Sequence, residues 1–268
     1  MVRRRETIPA APALLPRECH AWWARPSDAR PCLERLLDPE EQTRRGRLRR
    51  RPDRQRFTVA HALTRLLLAT YLARPPTAIR IDRSCRHCGG AHGKPRLADA
   101  RQPLEFSVSH SQDRIVVACS WDLPVGVDVE WVERGVAVEE LLPHVLSAEE
   151  TEKLRRVDGR ERLEGFFVYW TRKEAALKAT GHGLIVPLVG VGVSGPGMPP
   201  SLTRWPAGHE LARTRLHDLH PGAGYRASLA TMGECRRVRE LDGSALLVRY
   251  CQQIGSRKAG EVRAVPEA

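Results

Sequence analysis

The clearest hydrophobic periodicity in the chain predicts a long amphipathic helix from Asp53 to about Ala73. Its apolar residues recur every three or four positions, so they share one face of the helix. These residues are Phe57, Ala60, Leu63, Leu67 and Tyr71. A second long helix is predicted from Gly165 to Gly183, where good helix formers continue without proline until Gly181 and Gly183 supply a stop.

Two shorter helices are predicted from their first residues. Asp38 is a capping residue followed by proline and two acids, which is a typical helix start. Ser147 and Glu150 fit a capping box, so a helix should run from Ser147 to about Val157.

Alternation of apolar and polar residues predicts short strands. The clearest is Val125–Glu130, where three valines alternate with Gly126, Asp128 and Glu130. The other predicted strands are Ala78–Asp82, Leu104–Ser109, Ile115–Ser120, Leu188–Val193, Glu210–Leu219, Tyr225–Met232 and, in an arginine-rich C-terminal stretch, Ala245–Tyr250. A helix followed by antiparallel strands thus occurs twice, and the predicted fold class is α+β.

The length and charge of the chain restrict its possible domain organisation and binding partners. With 268 residues, 41% of them hydrophobic, the chain can form one large domain or two small ones, each with its own core. The formal net charge of +12 favours an anionic partner, which nucleic acid, an acidic protein and a phosphorylated cofactor all satisfy. An aromatic content of only 5% argues against a platform on which single-stranded bases stack.

The cysteines and the N-terminal stretch predict a cytoplasmic protein with reduced thiols and no membrane span. The seven cysteines are an odd number with irregular spacing, and the opening residues lack the apolar segment of a signal peptide. The segment from Cys85 to His92 has the residue types of a zinc site, but no second Cys-x-x-Cys follows, so an ordinary turn is favoured. Residues 1 to about 20 and the stretch from Ser256 to Ala268 are expected to pack loosely.

The candidate functional residues are acidic side chains of the clearest strand and of the second long helix. Asp128 and Glu130 are two positions apart on a strand, so both carboxylates point to the same face. Glu174 and Lys178 share one helix face with Trp170. Taken separately, each pattern also fits an ordinary solvated surface. Taken together, the three carboxylates fit a hard divalent ion such as Mg²⁺, which binds oxygen ligands.

Four blocks of residues occur in a fixed order between about residues 93 and 183. They are Gly93-Lys94-Pro95, Phe106-Ser107-Val108-Ser109-His110-Ser111, Asp128-x-Glu130 and Trp170-Thr-Arg-Lys173-Glu174-Ala-Ala-Leu-Lys178. In this order they resemble the signature of 4′-phosphopantetheinyl transferases, in the surfactin-type branch of large, monomeric enzymes. A weaker likeness extends from about residue 44 to residue 230.

The resemblance implies a fold and a reaction. The fold is two similar α/β halves related by a pseudo-two-fold axis, with the active site at their interface. The halves are residues 1–124 and 125–235, followed by a C-terminal extension, 236–268, that is partly a tail. The reaction moves phosphopantetheine from coenzyme A to a serine of an apo acyl or peptidyl carrier protein and releases 3′,5′-ADP. The carrier that accepts the group can belong to fatty acid, polyketide, nonribosomal peptide or siderophore synthesis, and the sequence does not distinguish among them.

The resemblance also implies roles for the acidic residues and for one lysine. Asp128, Glu130 and Glu174 hold the metal ion, and Lys178 contacts the pyrophosphate and assists the departing phosphate. Glu174 is the first choice for the base that accepts the serine proton. Glu150 or a water on the metal is the alternative, and capping a helix is an equally good role for Glu150.

The coenzyme is expected to contact a second group of polar residues. Lys94 follows a glycine on an exposed turn, and the hydroxyls of Ser107 and Ser109 with the imidazole of His110 fit donors to phosphate. The family commonly has asparagine where Ser107 stands. The 3′-phosphate needs a cation from the basic run, for which the candidates are Arg44, Arg51 and Arg56.

Two other classes of function compete with the transferase. A basic nucleic-acid-binding module fits the net charge, but the sequence has no helix-turn-helix, zinc-finger or aromatic RNA-binding signature. A non-catalytic scaffold that binds carrier proteins would lack the metal ligands, and all three are present. Because carrier proteins are typically acidic around their serine, a basic docking surface is expected beside the second long helix. Its candidates are Lys153, Arg155, Arg156, Arg160 and Arg162.

Overall fold

The computed structural model describes residues 10–85, 88–90, 93–99, 101–133, 135, 137–181, 183, 186–206 and 213–262. The helices of this described part are α1 (Pro31–Glu34), α2 (Pro39–Arg47), α3 (Arg51–Tyr71), α4 (Val138–Val145), α5 (Ala148–Arg155), α6 (Gly159–Thr180) and α7 (Gly243–Val262). Its strands are β1 (Glu18–Ala24), β2 (Ile81–Asp82), β3 (Arg96–Leu97), β4 (Leu104–Ser111), β5 (Arg114–Trp121), β6 (Val125–Trp131), β7 (Gly192–Val193), β8 (Leu202–Arg204), β9 (Thr214–Asp218), β10 (Tyr225–Met232) and β11 (Arg237–Asp242).

The strands form two larger sheets and two short two-stranded ribbons. The larger sheets have the strand orders β11-β1-β5-β4 and β6-β10-β9. Strand β10 runs antiparallel to both of its neighbours, and its Ser228 lies opposite Asp128 of β6 and Asp218 of β9. Helices together with antiparallel sheets confirm the predicted α+β class.

The chain divides into two compact units. The first, which we call the helical unit, comprises Met1–Ala13, Trp23–Ile79 and Asp242–Ala268. The second, the mixed unit, comprises Leu14–Trp22 and Arg80–Leu241. No helix in the described part of the chain is both long and apolar enough to cross a bilayer.

In the helical unit, α3 packs against α1 and α2. Leu63 and Leu67 of α3 are fully buried, in agreement with the predicted apolar stripe. Helix α2 begins after Asp38 as predicted, because the Asp38 carboxylate accepts a hydrogen bond from the Glu41 N–H at 2.8 Å and Glu41 accepts one from the Asp38 N–H. Arg65 of α3 forms ion pairs with both of these carboxylates and so ties α2 to α3.

A disulfide joins Cys32 of α1 to Cys251 of α7 within the helical unit. The prediction that all thiols are reduced is therefore wrong for these two residues. Their separation of 219 residues explains why the irregular spacing of the cysteines carried no sign of the pairing. Cys19, Cys119 and Cys235 are not part of a disulfide.

In the mixed unit, α6 lies against β6 and β10. Gly126 of β6 is a point of close approach, since a Cβ atom added there would lie 2.8 Å from the carbonyl carbon of Lys178 and nearer still to backbone atoms of Ala175 and Ala179. Helix α6 starts earlier than the predicted Gly165. It ends as predicted at Gly181, whose φ of 77° is left-handed.

The predicted strand Ala245–Tyr250 is wrong, because these residues belong to α7. Leu246, Leu247 and Tyr250 are buried at the spacing of a helix face. Helix α7 runs on to Val262, so the tail predicted from Ser256 starts inside a helix.

Other predicted strands are shorter in the structure, or partly outside its described residues. Residues Pro76–Ala78 and Leu188–Gly190 form single 3-10 turns, which leaves β2 and β7 with two residues each. Of the predicted strand Glu210–Leu219, β9 covers Thr214–Asp218, while residues 207–212 lie outside the described residues.

Candidate functional site

The centre of the candidate site is an ion pair between Asp128 of β6 and Lys178 of α6. Lys178 Nζ lies 2.7 Å from Asp128 Oδ1; the Asp128 side chain is 4% exposed and that of Lys178 is 30% exposed. Asp128 shares its face of β6 with Gly126, since alternate residues of a strand point the same way. The missing side chain of Gly126 lets α6 approach closely enough for Lys178 to reach Asp128.

Lys178 has three donors, and the protein engages all of them. Besides Asp128, Nζ donates to Ser109 Oγ and to the carbonyl oxygen of Val127, each at 3.2 Å. Ser109 Oγ in turn donates to Asp128 Oδ1 at 2.9 Å. One carboxylate oxygen of Asp128 therefore holds both the ammonium and the hydroxyl.

Glu130 and Glu174 interact electrostatically with this ion pair. Burial, and after it the Asp128 carboxylate, raises the pKa of Glu130 to about 7. Burial and then Asp128 also raise the pKa of Glu174, while Lys178 opposes both shifts. Asp128 therefore repels both glutamates, while the Lys178 ammonium attracts them.

The possible ligand atoms of this site are of the type that binds a hard divalent cation. They are all oxygens, and Asp128 Oδ2 is buried with no hydrogen-bond partner in the described part of the chain. A buried carboxylate oxygen without a donor is expected to bind a cation or a water. A cation would also relieve the repulsion among the three carboxylates.

The arrangement differs from the predicted one in its geometry. Among the described residues, no group of three acidic, histidine or cysteine side chains is arranged to hold a metal ion. Asp128 turns one oxygen to Lys178, and Glu130 turns one to Ser111 at 2.9 Å. The predicted convergence of Asp128, Glu130 and Glu174 on one ion is therefore not present in this structure.

We expect Glu130 to make the stability of the metal-free protein depend on pH. An unfolded glutamate titrates near 4.5, whereas Glu130 in the fold titrates at about 7, so the folded state keeps a proton that the unfolded state has lost. The stability from this difference is full below about pH 4.5 and is lost as the pH rises to about 7. Glu130→Gln should therefore be more stable than the native protein at pH 8 and similar to it at pH 4.5.

Urea unfolding of both proteins at pH 4.5, 6 and 8 measures this difference in the free energy of unfolding. Glu152→Gln is a matched control, because Glu152 is an exposed residue of α5. A difference between Glu130→Gln and the native protein that does not change with pH would contradict the electrostatic origin proposed for the shift.

Two of the predicted phosphate donors form hydrogen bonds within the protein. The hydroxyls of Ser107 and Ser109 are buried, and each accepts a hydrogen bond from β6, from the N–H of Val127 at 3.1 Å and of Val129 at 3.4 Å respectively. These hydroxyls therefore face β6, in contrast to the predicted contact with phosphate. His110, next to them on β4, is exposed.

Lys94 lies beside the C-terminal end of α6. Its Nζ donates to the carbonyl oxygen of Ala179 at 3.2 Å and lies 3.8 Å from the Glu105 carboxylate. A lysine that contacts the last turn of a helix interacts favourably with its macrodipole. The structure thus places Lys94 close to α6, the helix that carries Glu174 and Lys178.

The hydrogen bonds of Glu150 stabilise the fold. It completes the capping box of α5 with Ser147, and it also accepts hydrogen bonds from Lys173 Nζ at 2.6 Å and from the Val193 N–H at 3.0 Å. Lys173 is fully buried and also donates to the carbonyl oxygens of Val145 and Leu188. Both Glu150 oxygens are therefore engaged, which favours capping over proton transfer.

The three candidate arginines for the 3′-phosphate belong to the helical unit. Arg44 and Arg51 are exposed, and Arg56 lies 3.5 Å from the Asp53 carboxylate.

The cysteine and histidine segment belongs to the mixed unit. There the N–H of Gly89 donates to the carbonyl oxygen of Cys85, and the N–H of Cys85 donates to the carbonyl oxygen of Gly90. The turn that the sequence favoured over a zinc site stays a prediction, because it includes residues outside the described part of the chain. His87 and His92 lie outside the described residues.

Sequence reasoning missed a polar network on the α6-facing side of the three-stranded sheet. Arg172 of α6 is buried and pairs with Asp218 of β9 at 2.5 Å. Ser228 donates to Asp218 and contacts the Thr171 hydroxyl at 3.1 Å. Arg172 and Thr171 belong to the same sequence block as Glu174, but only the register of β9 and β10 brings Asp218 and Ser228 to them.

The predicted basic docking surface is partly neutralised. Arg160 pairs with Glu164 at 2.6 Å, and Arg162 pairs with Glu139 at 2.5 Å. Arg162 and Glu139 also line a groove of about 690 Å³ between the starts of α4 and α6. Lys153 pairs with Glu149 on α5.

Two arginines of that surface remain exposed at the end of α5. Arg155 and Arg156 have no ion-pair partner among the described residues. They are therefore the residues of the predicted surface whose charge is least compensated by the protein itself.

The sequence matches two family models. The model of the 4′-phosphopantetheinyl transferase superfamily covers residues 124–230. A model of the N-terminal part of 4′-phosphopantetheinyl transferases covers residues 21–122. Every predicted site residue lies within one of these two ranges.

Curated relatives show the same likeness. The 4′-phosphopantetheinyl transferase HetI of Nostoc sp. is 33% identical over 176 residues, which are 64% of this chain and 72% of HetI. The human L-aminoadipate-semialdehyde dehydrogenase-phosphopantetheinyl transferase is 32% identical over 160 residues, or 56% of this chain and 50% of the human protein. The rat enzyme of the same name is 30% identical over 62% of this chain and 55% of its own length. The chain thus spans about half the length of these mammalian relatives.

Proposed function

The chain belongs to the 4′-phosphopantetheinyl transferase superfamily, and from this premise we propose that it transfers phosphopantetheine from coenzyme A to a serine of an apo carrier protein at the site around Asp128 and Lys178. In this reaction the serine oxygen forms a bond to the β-phosphorus of coenzyme A. The bond from that phosphorus to the bridging oxygen breaks, and 3′,5′-ADP leaves with the electron pair. The serine proton passes to a base.

The observation that carries the proposal is the Asp128–Lys178 pair beside two glutamates of raised pKa. Phosphoryl transfer needs alignment and neutralisation of charge more than covalent chemistry. Lys178 supplies a cation on the exposed edge of the site, where a pyrophosphate oxygen can compete for one of its donors. Mg²⁺ or Mn²⁺, when bound at Asp128 Oδ2 and the neighbouring glutamates, supplies further positive charge against the pyrophosphate.

We assign the base to Glu174. Burial and the neighbouring Asp128 raise its pKa, which makes its carboxylate a stronger proton acceptor than an exposed glutamate. Glu174 also stands one helical turn before Lys178, on the same face of α6. Glu150 is a weaker candidate, because both of its oxygens hold structural hydrogen bonds.

The phosphates of coenzyme A are proposed to contact Lys94, His110 and Lys178, with the 3′-phosphate bound by one or more of Arg44, Arg51 and Arg56. All are cationic or can become so, and exposed contacts of this kind weaken as salt is added. Coenzyme affinity should therefore fall between low and high salt. Ser109 contributes by holding Lys178 and Asp128, since its hydroxyl already bonds to both.

A transfer assay tests the proposed function directly. The protein is incubated with coenzyme A, Mg²⁺ and an apo carrier protein, and the carrier is analysed by intact mass spectrometry. We expect the mass of one phosphopantetheine on the carrier and none on a carrier whose acceptor serine is alanine. Binding of the carrier without a change in mass would favour the non-catalytic scaffold. A panel of fatty acid, polyketide, nonribosomal peptide and siderophore carriers then identifies the preferred substrate.

We expect the basic end of α5 to recruit the carrier. Reversing both charges in Arg155→Glu/Arg156→Glu should raise the KM for the carrier several-fold, because charge complementarity accelerates association with an acidic partner. The KM for coenzyme A should stay nearly unchanged. Exposed charges without partners add little to stability, so the fold should be unaffected.

Steady-state kinetics with each substrate varied in turn separates these effects. The matched control is Arg35→Glu/Arg249→Glu, which reverses two exposed charges of the helical unit and keeps the net charge equal to that of the test variant. If both double variants change the two KM values alike, the effect comes from net charge, and the docking surface lies elsewhere.

A further inference from the structure

Strands β4 and β6 are edge strands of different sheets, and three serine hydroxyls join them. Strand β4 is the last strand of the four-stranded sheet, and β6 is the first of the three-stranded sheet. In an antiparallel pair alternate N–H groups point away from the partner, so half of the β6 amides point away from β10. Those amides donate to side chains of β4. The bonds run from Val127, Val129 and Trp131 to Ser107, Ser109 and Ser111, at 3.1, 3.4 and 3.0 Å.

Two of these hydroxyls also donate to the acidic side chains of β6, in a constant register. Ser109 donates to Asp128 and Ser111 donates to Glu130, each at 2.9 Å. Each serine thus bonds to the carboxylate 19 positions later and to the N–H 20 positions later. At the third serine, Ser107, the residue 19 positions later is Gly126, which has no side chain.

The two carboxylates depend on their serines to different degrees. Asp128 is also held by Lys178. Among the described residues, Ser111 is the hydrogen-bond donor of Glu130, and no ion pair holds the Glu130 carboxylate. A glutamate has three side-chain torsions, and fixing them costs conformational entropy. The Ser111 hydroxyl is itself fixed by the Trp131 N–H, so it can hold one Glu130 oxygen and leave the other for a ligand.

From this register we infer that Ser111 is the positioning residue of Glu130, and that the β4 hydroxyls align both acidic side chains of β6 with the cation site. The inference rests on the proposed function, which makes Glu130 a ligand of the cation. Ser111 acts through Glu130 and touches neither the cation nor the substrate. Groups that orient metal ligands in this way typically contribute about 10–100-fold to metal affinity.

Binding of Mn²⁺ to the protein without coenzyme A or carrier measures this contribution apart from turnover. Free Mn²⁺ is followed by its electron paramagnetic resonance signal. We expect Ser111→Ala to bind Mn²⁺ at least about 10-fold more weakly than the native protein. Ser111→Thr keeps the hydroxyl and should restore most of the affinity.

Ser107→Ala is the matched control. It removes the same kind of bond between β4 and β6, but no carboxylate loses its donor, so Mn²⁺ affinity should stay close to native. Hydrogen exchange checks that each variant loses the intended bond: the Trp131 amide should exchange faster in Ser111→Ala, and the Val127 amide faster in Ser107→Ala.

The outcomes separate the inference from the proposed function. Equal weakening of Mn²⁺ binding in Ser111→Ala and Ser107→Ala would show that the serines only join the sheets and would overturn the positioning role. Native affinity in Ser111→Ala would overturn it as well. If the native protein transfers phosphopantetheine but binds no Mn²⁺, the cation site at Glu130 fails while the transferase function stands. If the native protein binds Mn²⁺ and Ser111→Ala weakens this binding as expected, but no transfer occurs, the positioning role stands while the transferase function fails.

Discussion

Gly126→Ala is expected to abolish transfer and to destabilise the mixed unit. The added Cβ would lie inside contact distance of the Ala175 carbonyl oxygen, the Ala179 nitrogen and the Lys178 carbonyl carbon, all backbone atoms of α6. Backbone cannot rotate away as a side chain does, so β6 and α6 must separate. Overpacking a core costs about 1–3 kcal/mol, and more where the backbone has to move. Separation would also part Asp128 from Lys178, and transfer should be lost even in the fraction that stays folded.

Gly46→Ala is the control for this substitution. Gly46 lies inside α2 and has no atom within 4 Å of an added Cβ. Alanine is the better helix former by about 1 kcal/mol, so this variant should be as stable as the native protein or more stable. Urea unfolding and the transfer assay on both variants give the comparison. Native activity in Gly126→Ala would mean that the close packing of β6 on α6 is not required by the site.

Gly126 also shows what the sequence could reveal about this region. Alternation with three valines predicted β6 correctly, and the glycine stop predicted the end of α6. Both signals are local, since they depend on spacing along a single element. The need for glycine at position 126 is not local. It arises from a helix some fifty residues later, and only the packed structure shows which backbone atoms approach it.

The errors in secondary structure have the same origin. The apolar run Ala245–Tyr250 is short, and short apolar runs fit a strand and a buried helix equally well. Packing of α7 against α1 and the bond from Cys251 to Cys32 decide in favour of the helix. Strand β1 was missed because its residues are buried on both faces, which removes the alternation that marks a strand.

At the candidate site, the sequence indicated which residues to consider, but it did not reveal their contacts. The spacing of Glu174 and Lys178 predicted that both lie on one face of α6; in the structure Lys178 pairs with Asp128, and burial together with Asp128 raises the pKa of Glu174. Periodicity along a helix or a strand does not determine which carboxylate a lysine pairs with, because this pairing depends on distances between elements. The same limit applies to Ser107 and Ser109, whose hydroxyls face the edge of β6 in the folded chain.

The second large effect is expected at Lys178, where stability and catalysis should respond differently to the same substitutions. Lys178→Met removes the ammonium but keeps the length of the side chain. It leaves the buried Asp128 carboxylate beside Glu130 and Glu174 without its cation, which should cost about 1–3 kcal/mol in the free energy of unfolding. Asp128→Asn removes the anion instead, and the partly exposed ammonium can then turn to water. Its cost should be smaller.

The double variant Lys178→Met/Asp128→Asn completes the cycle. Its loss of stability should be smaller than the sum of the single losses, because the second substitution removes the charge that the first left unpaired. Residues in direct contact commonly show coupling of about 0.5–3 kcal/mol. Transfer should follow another pattern, since Lys178 and Asp128 act together on the pyrophosphate: each single variant should already be inactive, and the double variant should recover nothing.

Urea unfolding at pH 8 gives the stability cycle, and single-turnover transfer gives the catalytic one. If the two stability losses simply add, the ion pair contributes nothing to the fold, and Lys178 is held by Ser109 and the Val127 carbonyl alone. If Lys178→Met keeps native turnover, the lysine has no part in the reaction, and charge neutralisation at the pyrophosphate falls to Lys94, His110 and the bound cation. Recovery of activity together with stability in the double variant would mean that Lys178 serves the reaction only by keeping Asp128 in place.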